Sequence, residues 1–233
     1  MVKTDKSLLM IVDFSLSYVW GMAGLPYNAS NTIIPIDLQG GVSIYARLTY
    51  ERNHIIGADL ATSIAGIGFW AEAAMYFPAQ DVIMSNDLTA FYPASPDPVI
   101  VDSTILEAKP YMKFVMGGDY FFGDGSYLNI LYIHGFIHER GKEALNDYFF
   151  LRYNKGFFND KLKISPLSGA MIVTDWKDIK NNYALAYLPE IIYAATVNTE
   201  ISLAFVLFEG KGNNLFANMK DYDMFAIKLN HVF

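Results

Sequence analysis

A strict two-residue alternation constrains this chain more than any other feature. Leu8, Met10, Val12, Phe14, Leu16, Tyr18 and Trp20 share one face of the first segment, with Asp13, Ser15 and Ser17 on the other. A helix would scatter these two sets around its axis, whereas a strand separates them. Nine further segments read the same way. Near 42–62, Ile56, Ala58 and Leu60 oppose Glu51 and Asp59. Near 66–78, Phe69, Ala71, Ala73, Met75 and Phe77 oppose Glu72, and near 110–123, Met112, Phe114, Met116, Tyr120 and Phe122 oppose Lys113 and Asp119. The pattern continues near 126–139, 146–158, 161–174, 182–196 and 200–210, and closes the chain from Phe225 to Phe233.

The connections alternate in length. Short turns are expected at Ala65-Gly66, Asp124-Gly125, Asn159-Asp160 and Asn198-Thr199, and Asp-Gly is a strong hairpin signal. Longer links lie near 22–41, 79–109, 140–146, 175–181 and 211–220. Short turns on one side and long loops on the other are the habit of outer-membrane barrels. The fold expected is therefore all-β: a transmembrane antiparallel up-and-down β-barrel of about ten strands, in one domain spanning residues 1–233. Segments of roughly 11–15 residues meet or exceed the 9–11 that cross a bilayer, against the 5–6 usual in water-soluble sheets. A water-soluble sandwich alternates too, with its apolar face inward, and periodicity alone leaves that alternative open.

Composition narrows the classes. No run of about 18 apolar residues exists, so no helical span is expected. Cysteine is absent, which excludes a disulfide framework and thiolate-bound metals. A net charge of −7 without a basic run argues against nucleic acid. Sixteen Tyr and 17 Phe cluster at expected strand ends, as interfacial girdles do. Phe121-Phe122, Tyr127, Phe157-Phe158, Tyr193 and Phe233 would mark the periplasmic boundary. Tyr18, Trp20, Phe77, Phe136, Tyr148 and Tyr183 would mark the outer one. The first residues, Met1-Val2-Lys3-Thr4-Asp5-Lys6, carry no export signal. An exported chain is then expected to be either a mature form or the C-terminal part of a larger barrel.

Mid-strand charges fall opposite the apolar positions. Asp13, Arg47, Glu51, Asp59, Glu72, Lys113, Asp119, Arg152, Glu190, Glu200 and Lys228 are expected to face a lumen. They would line a passage or fill a narrow barrel with a self-satisfying network, since barrels of about eight strands are filled and open channels appear near 16. Catalysis is not expected. His138, Glu139, Asp147, Asp175 and Asp221 could meet at the loop-side rim, as in a hydrolase, but charged loops do this by default. His134 and His138 would lie about 13 Å apart on one strand, too far to share a metal. Gly123-Asp124-Gly125 precedes a strand, where a phosphate loop needs a helix. No cofactor or metal is expected.

The last stretch, Asp223-Met224-Phe225-Ala226-Ile227-Lys228-Leu229-Asn230-His231-Val232-Phe233, resembles the terminal assembly signal of bacterial outer-membrane proteins. Phe225, Ile227, Leu229 and Phe233 carry that resemblance; His231 departs from it, standing where an aromatic residue is usual. Segments 110–160 and 182–233 are similar to the closing hairpins of porin-like barrels of Gram-negative bacteria, most distinctively at Tyr127–Phe136. The resemblance implies residence in the outer membrane, among its lipid and lipopolysaccharide, and recognition by the barrel-assembly machinery. The activity expected is porin-like passage of small polar solutes or ions. The alternative is a closed barrel used for structure, adhesion or ligand binding through the 22–41 and 79–109 links.

Overall fold

The computed structural model describes residues 12–37 and 40–232. Its strands are β1 (Val12–Met22), β2 (Tyr27–Pro35), β3 (Val42–Thr49), β4 (Arg52–Ile64), β5 (Ile67–Pro78), β6 (Val82–Asp87), β7 (Ile100–Leu106), β8 (Tyr111–Phe121), β9 (Tyr127–His134), β10 (Asp147–Phe157), β11 (Leu162–Val173), β12 (Tyr183–Tyr187), β13 (Glu190–Thr196), β14 (Thr199–Gly210) and β15 (Met224–His231). The only helical turns among the described residues are three of 3-10 type, and none is long or apolar enough to cross a membrane.

Eleven strands form one antiparallel sheet in the order β1-β4-β5-β8-β9-β10-β11, then β12 and β13, then β14 and β15. β12 and β13 are two halves of one crossing. β11 pairs with β12 through Gly169–Val173 and with β13 through Leu162–Ser165. The break falls at Leu188-Pro189, where proline has no N–H to give a ladder. The sheet is thus a meander of ten crossings, one for each alternating segment of the sequence. Among the described residues no ladder joins β1 to β15.

The remaining four strands form a second sheet, β3-β2-β6-β7, with a parallel pair β2–β6 at its centre. This corrects two expectations. The links near 22–41 and 79–109 contain strands rather than loops alone, and the segment near 42–62 is two strands that part at Tyr50-Glu51, with β3 in the second sheet. Alternation reports an extended backbone with two unlike faces; it does not name the neighbour a strand pairs with. β9 also ends earlier than expected, at His134, because Gly135 turns the chain at φ +79°.

Register assigns the faces. Phe14, Leu60, Ala71, Met116, Tyr132, Phe149, Met171 and Leu185 form one continuous row across the main sheet. One residue along each strand, Asp13, Ala61, Trp70, Gly117, Leu131, Phe150, Ala170, Ala186 and Phe208 form the row on the opposite face. The apolar face is open: Leu16 is 77% exposed, Phe14 74% and Leu229 67%. The other face is sheltered over β11, β12 and β14, where Ser165, Ala170, Ile172, Ala184, Ala186 and Ser202 are buried.

Part of that shelter comes from the link after β14. Its 3-10 turn, Ala217–Met219, packs back on β12 and β14. Phe216 lies against Phe208 with ring centroids 6.0 Å apart, and Asp223 accepts the Phe208 N–H at 2.9 Å. Alanines at 184 and 186 leave room for the link, and Ala184 is completely buried.

Candidate functional site: the polar face and its loop-side rim

The polar face of the meander holds nine of the eleven charged residues expected there, on the register positions opposite the apolar rows: Asp13, Asp59, Glu72, Lys113, Asp119, Arg152, Glu190, Glu200 and Lys228. Asp59 stands between Ser15 and Glu72 and accepts a hydrogen bond from the Ser15 hydroxyl. Asp119 accepts from the Tyr127 hydroxyl at 3.1 Å. Arg152 and Glu190 pair across the sheet at 3.5 Å. The Lys113 ammonium donates to the Phe136 carbonyl at 2.7 Å and lies over the Tyr76 ring. Arg47 sits elsewhere, on β3 of the second sheet. Glu51 falls in the two-residue joint between β3 and β4, buried where the sheets meet.

Two buried carboxylates organise the loop-side rim. Glu139 accepts four hydrogen bonds, from the Phe136 and Asn146 backbone amides, the Asn146 side chain and the Tyr148 hydroxyl. Burial pushes its carboxyl up, but the Tyr148 and Asn146 hydrogen bonds outweigh this and hold it below the ordinary glutamate value. Asp147 accepts from the Tyr132 hydroxyl at 2.6 Å and from the Trp176 indole, and lies 2.8 Å from His134 Nδ1. Of the five residues considered as a rim hydrolase, Glu139 and Asp147 thus engage separate partners. The histidine beside Asp147 is His134, while His138 packs its ring against Phe136. Asp175 caps the Lys177 amide. Among the described residues no three His, Cys, Asp or Glu side chains are placed to hold a metal ion.

A cavity of about 450 Å³ opens where the second sheet meets the rim, lined by Tyr27, Glu51, Leu106, His138, Glu139 and Arg140 among others. Tyr27, Tyr76 and Leu145 pack on the buried cluster Val82, Leu106 and Tyr111 beneath it. Gly141 lets the 135–146 link approach: at φ +80° it is in the left-handed region, and a Cβ there would fall 2.7 Å from Leu106. Arg140 donates to the Leu25 carbonyl and lies 3.9 Å from Glu51. Glu51 Oε1 accepts from Asn53 at 3.1 Å. Among the described residues, Glu51 Oε2 and Asn53 Oδ1 are buried with no hydrogen-bond partner. Arg140 and Asn53 were not among the candidates from sequence, since neither stands in a motif. The one available signal was Gly135 and Gly141 bracketing a five-residue stretch that ends in His138, Glu139 and Arg140.

The outward face carries aromatic groups at both ends. On the loop side, Trp20 stacks on His54 at 4.0 Å, Tyr132 stacks on Phe149 at 4.8 Å, and Trp176 meets Phe149 edge-on. On the short-turn side stand Phe69, Tyr120, Tyr153, Phe157 and Tyr193. Tyr148, Phe121 and Tyr127 instead occupy polar-face register positions, and Phe136 lies in a loop. β15 presents Phe225, Ile227 and Leu229 outward; Phe233 lies outside the described residues.

No family model, no curated protein and no solved structure matches this chain.

Proposed function

We propose that the ten-crossing sheet is the wall of a Gram-negative outer-membrane β-barrel, apolar face to lipid and charged face to a passage for small polar solutes or ions. One observation carries the reading. From strand end to strand end, the outward register positions are predominantly apolar, many of them large and exposed, and the only Asp, Glu, Lys or Arg among those described, Arg52, Asp147, Lys155 and Glu209, lie towards strand ends. An exposed apolar surface of this extent is unfavourable in water and favourable in hydrocarbon.

The reading makes a demand on the two outermost strands. An unpaired backbone group in hydrocarbon costs several kcal/mol, roughly, so β1 and β15 must each find a partner there. β1 leaves the short-turn side and β15 returns to it, so a ladder between them would be antiparallel and would close a ten-stranded barrel. Further strands inserted between them would widen it. Ten strands alone lie near the filled end of the range, and the 211–223 link narrows the space over Ala184 and Ala186. Water and small ions are the cargo this geometry supports best.

Reconstitution in planar bilayers tests the passage. Stepwise conductance is the expected result. A protein that is silent, yet folded by heat-modifiable migration, would favour a closed barrel acting through its loops. The ordered second sheet supports that second reading, because it builds a defined surface from the two longest links.

A further inference from the structure

We infer that the cavity between the second sheet and the rim is a binding site for a neutral polyhydroxylated ligand, of the saccharide class. This rests on the second reading above, ligand recognition by the loop-side structure, and not on conduction.

The chemistry follows from what the cavity wall lacks and what it already has. Glu51 is only 5% exposed and lines the cavity, and its Oε2 has no partner among the described residues. Asn53, two residues on and outside the cavity lining, is 1% exposed; it positions Glu51 by donating to Oε1 at 3.1 Å, and its own Oδ1 is unpartnered among the described residues. Both atoms are acceptors, so the missing groups are donors. A buried acceptor left unpaired is destabilising, and a ligand hydroxyl reaching Glu51 Oε2 from the cavity would relieve this.

Charge selects among donors. Glu51 already faces Arg140 at 3.9 Å, and Glu139 is saturated by four donors with Lys113 nearby. The two acids and two bases balance, so an added cation meets Arg140 and an added anion meets the carboxylates. Neutral hydroxyls meet neither penalty. The rest of the lining suits the C–H faces of a sugar ring, since it includes Pro26, Tyr27 and Leu106. The cavity volume, about 450 Å³, falls within the roughly 300–1,000 Å³ of small-ligand sites.

The experiment uses the full chain folded in detergent micelles, with cellobiose, lactose and sucrose as probes and glycine, calcium chloride and sodium sulfate as contrasts. Binding is read by calorimetry and by protection of the Arg140 and Lys142 bonds from trypsin. At least one disaccharide should bind saturably and protect the bonds, and E51Q should weaken it tenfold or more. K220Q, in an exposed distant link, should leave binding unchanged. Heat-modifiable migration checks that E51Q is folded, and N53A serves if it is not, with the same loss expected. No saturable disaccharide binding, or binding unaffected by both variants, overturns the inference, as does tighter binding of calcium or sulfate. Conductance without saccharide binding overturns the site and leaves the passage standing; binding by a silent barrel does the opposite.

Discussion

Glu72 on β5 stands directly across from Asp59 on β4, two carboxylates side by side on the polar face. Like charges opposed in this way repel, and cross-strand pairs of this kind are worth roughly 0.2–1 kcal/mol. E72Q is therefore expected to raise stability by about that amount, read as a higher urea midpoint at unchanged slope. If the face lines a conducting passage, E72Q should also shift the reversal potential in a salt gradient towards anions. A destabilised E72Q would mean that the carboxylate serves the wall rather than straining it.

The two faces should answer an arginine differently. Ala71 lies on the apolar row midway along β5, whereas Val115 stands opposite Glu72 on the polar face. In a bilayer A71R should cost about 2–4 kcal/mol. V115R gains a carboxylate neighbour and should stay within about 1 kcal/mol of the parent. Folding titrations in lipid vesicles separate the two; equal costs would remove the case for lipid contact.

Acid should loosen the 135–146 link. The hydrogen bonds of Glu139 hold its carboxyl below the ordinary glutamate value of 4.5. A depressed folded-state value means that this stabilisation is complete above the unfolded value and lost as pH falls through the folded one. Protection of the Phe136 and Asn146 amides, corrected for intrinsic exchange, should hold at neutral pH and drop only once the pH falls below the ordinary glutamate value. E139Q should show weaker protection at neutral pH and no such transition.

Overpacking under the 211–223 link offers a further check. Ala184 is completely buried, and a Cβ on its partner Gly210 would fall 2.5 Å from the Ala184 Cβ. A184L should cost about 1–3 kcal/mol by displacing the link. If the link narrows a passage, single-channel conductance should rise in the same variant.

At the opposite end, Ala65 and Gly66 make a two-residue turn with φ of 52° and 83°. Glycine adopts this region freely; alanine does so at a cost of about 1–2 kcal/mol. A65N or A65G should therefore stabilise the β4–β5 hairpin, seen as slower unfolding, and G66A should weaken it.

The main antiparallel sheet was largely legible in the sequence. Alternation alone separated Leu60 from Asp59 and Met116 from Val115, because a strand's side chains depend only on parity. The turns at Ala65-Gly66 and Asp124-Gly125 were legible for a local reason as well. What was hidden depends on distant pairing. Nothing near Ser30 announces Ser85 as its partner, so β2 and β6 read as loops and Arg47 read as part of the wall. Glu51 read as a lumen-facing charge but is buried in the joint between β3 and β4, because its surroundings come from Asn53, Arg140 and the second sheet. The partners of Asp147 were hidden likewise: Trp176 reaches it from another link, 29 residues away.

The parallel pairing of β2 with β6 ties two excursions that leave the meander from different hairpins. Neither can be lengthened, grafted or exchanged alone without undoing the register of the other. An antibody meeting this surface would read both stretches at once, as a conformational epitope that no linear peptide from either one reproduces.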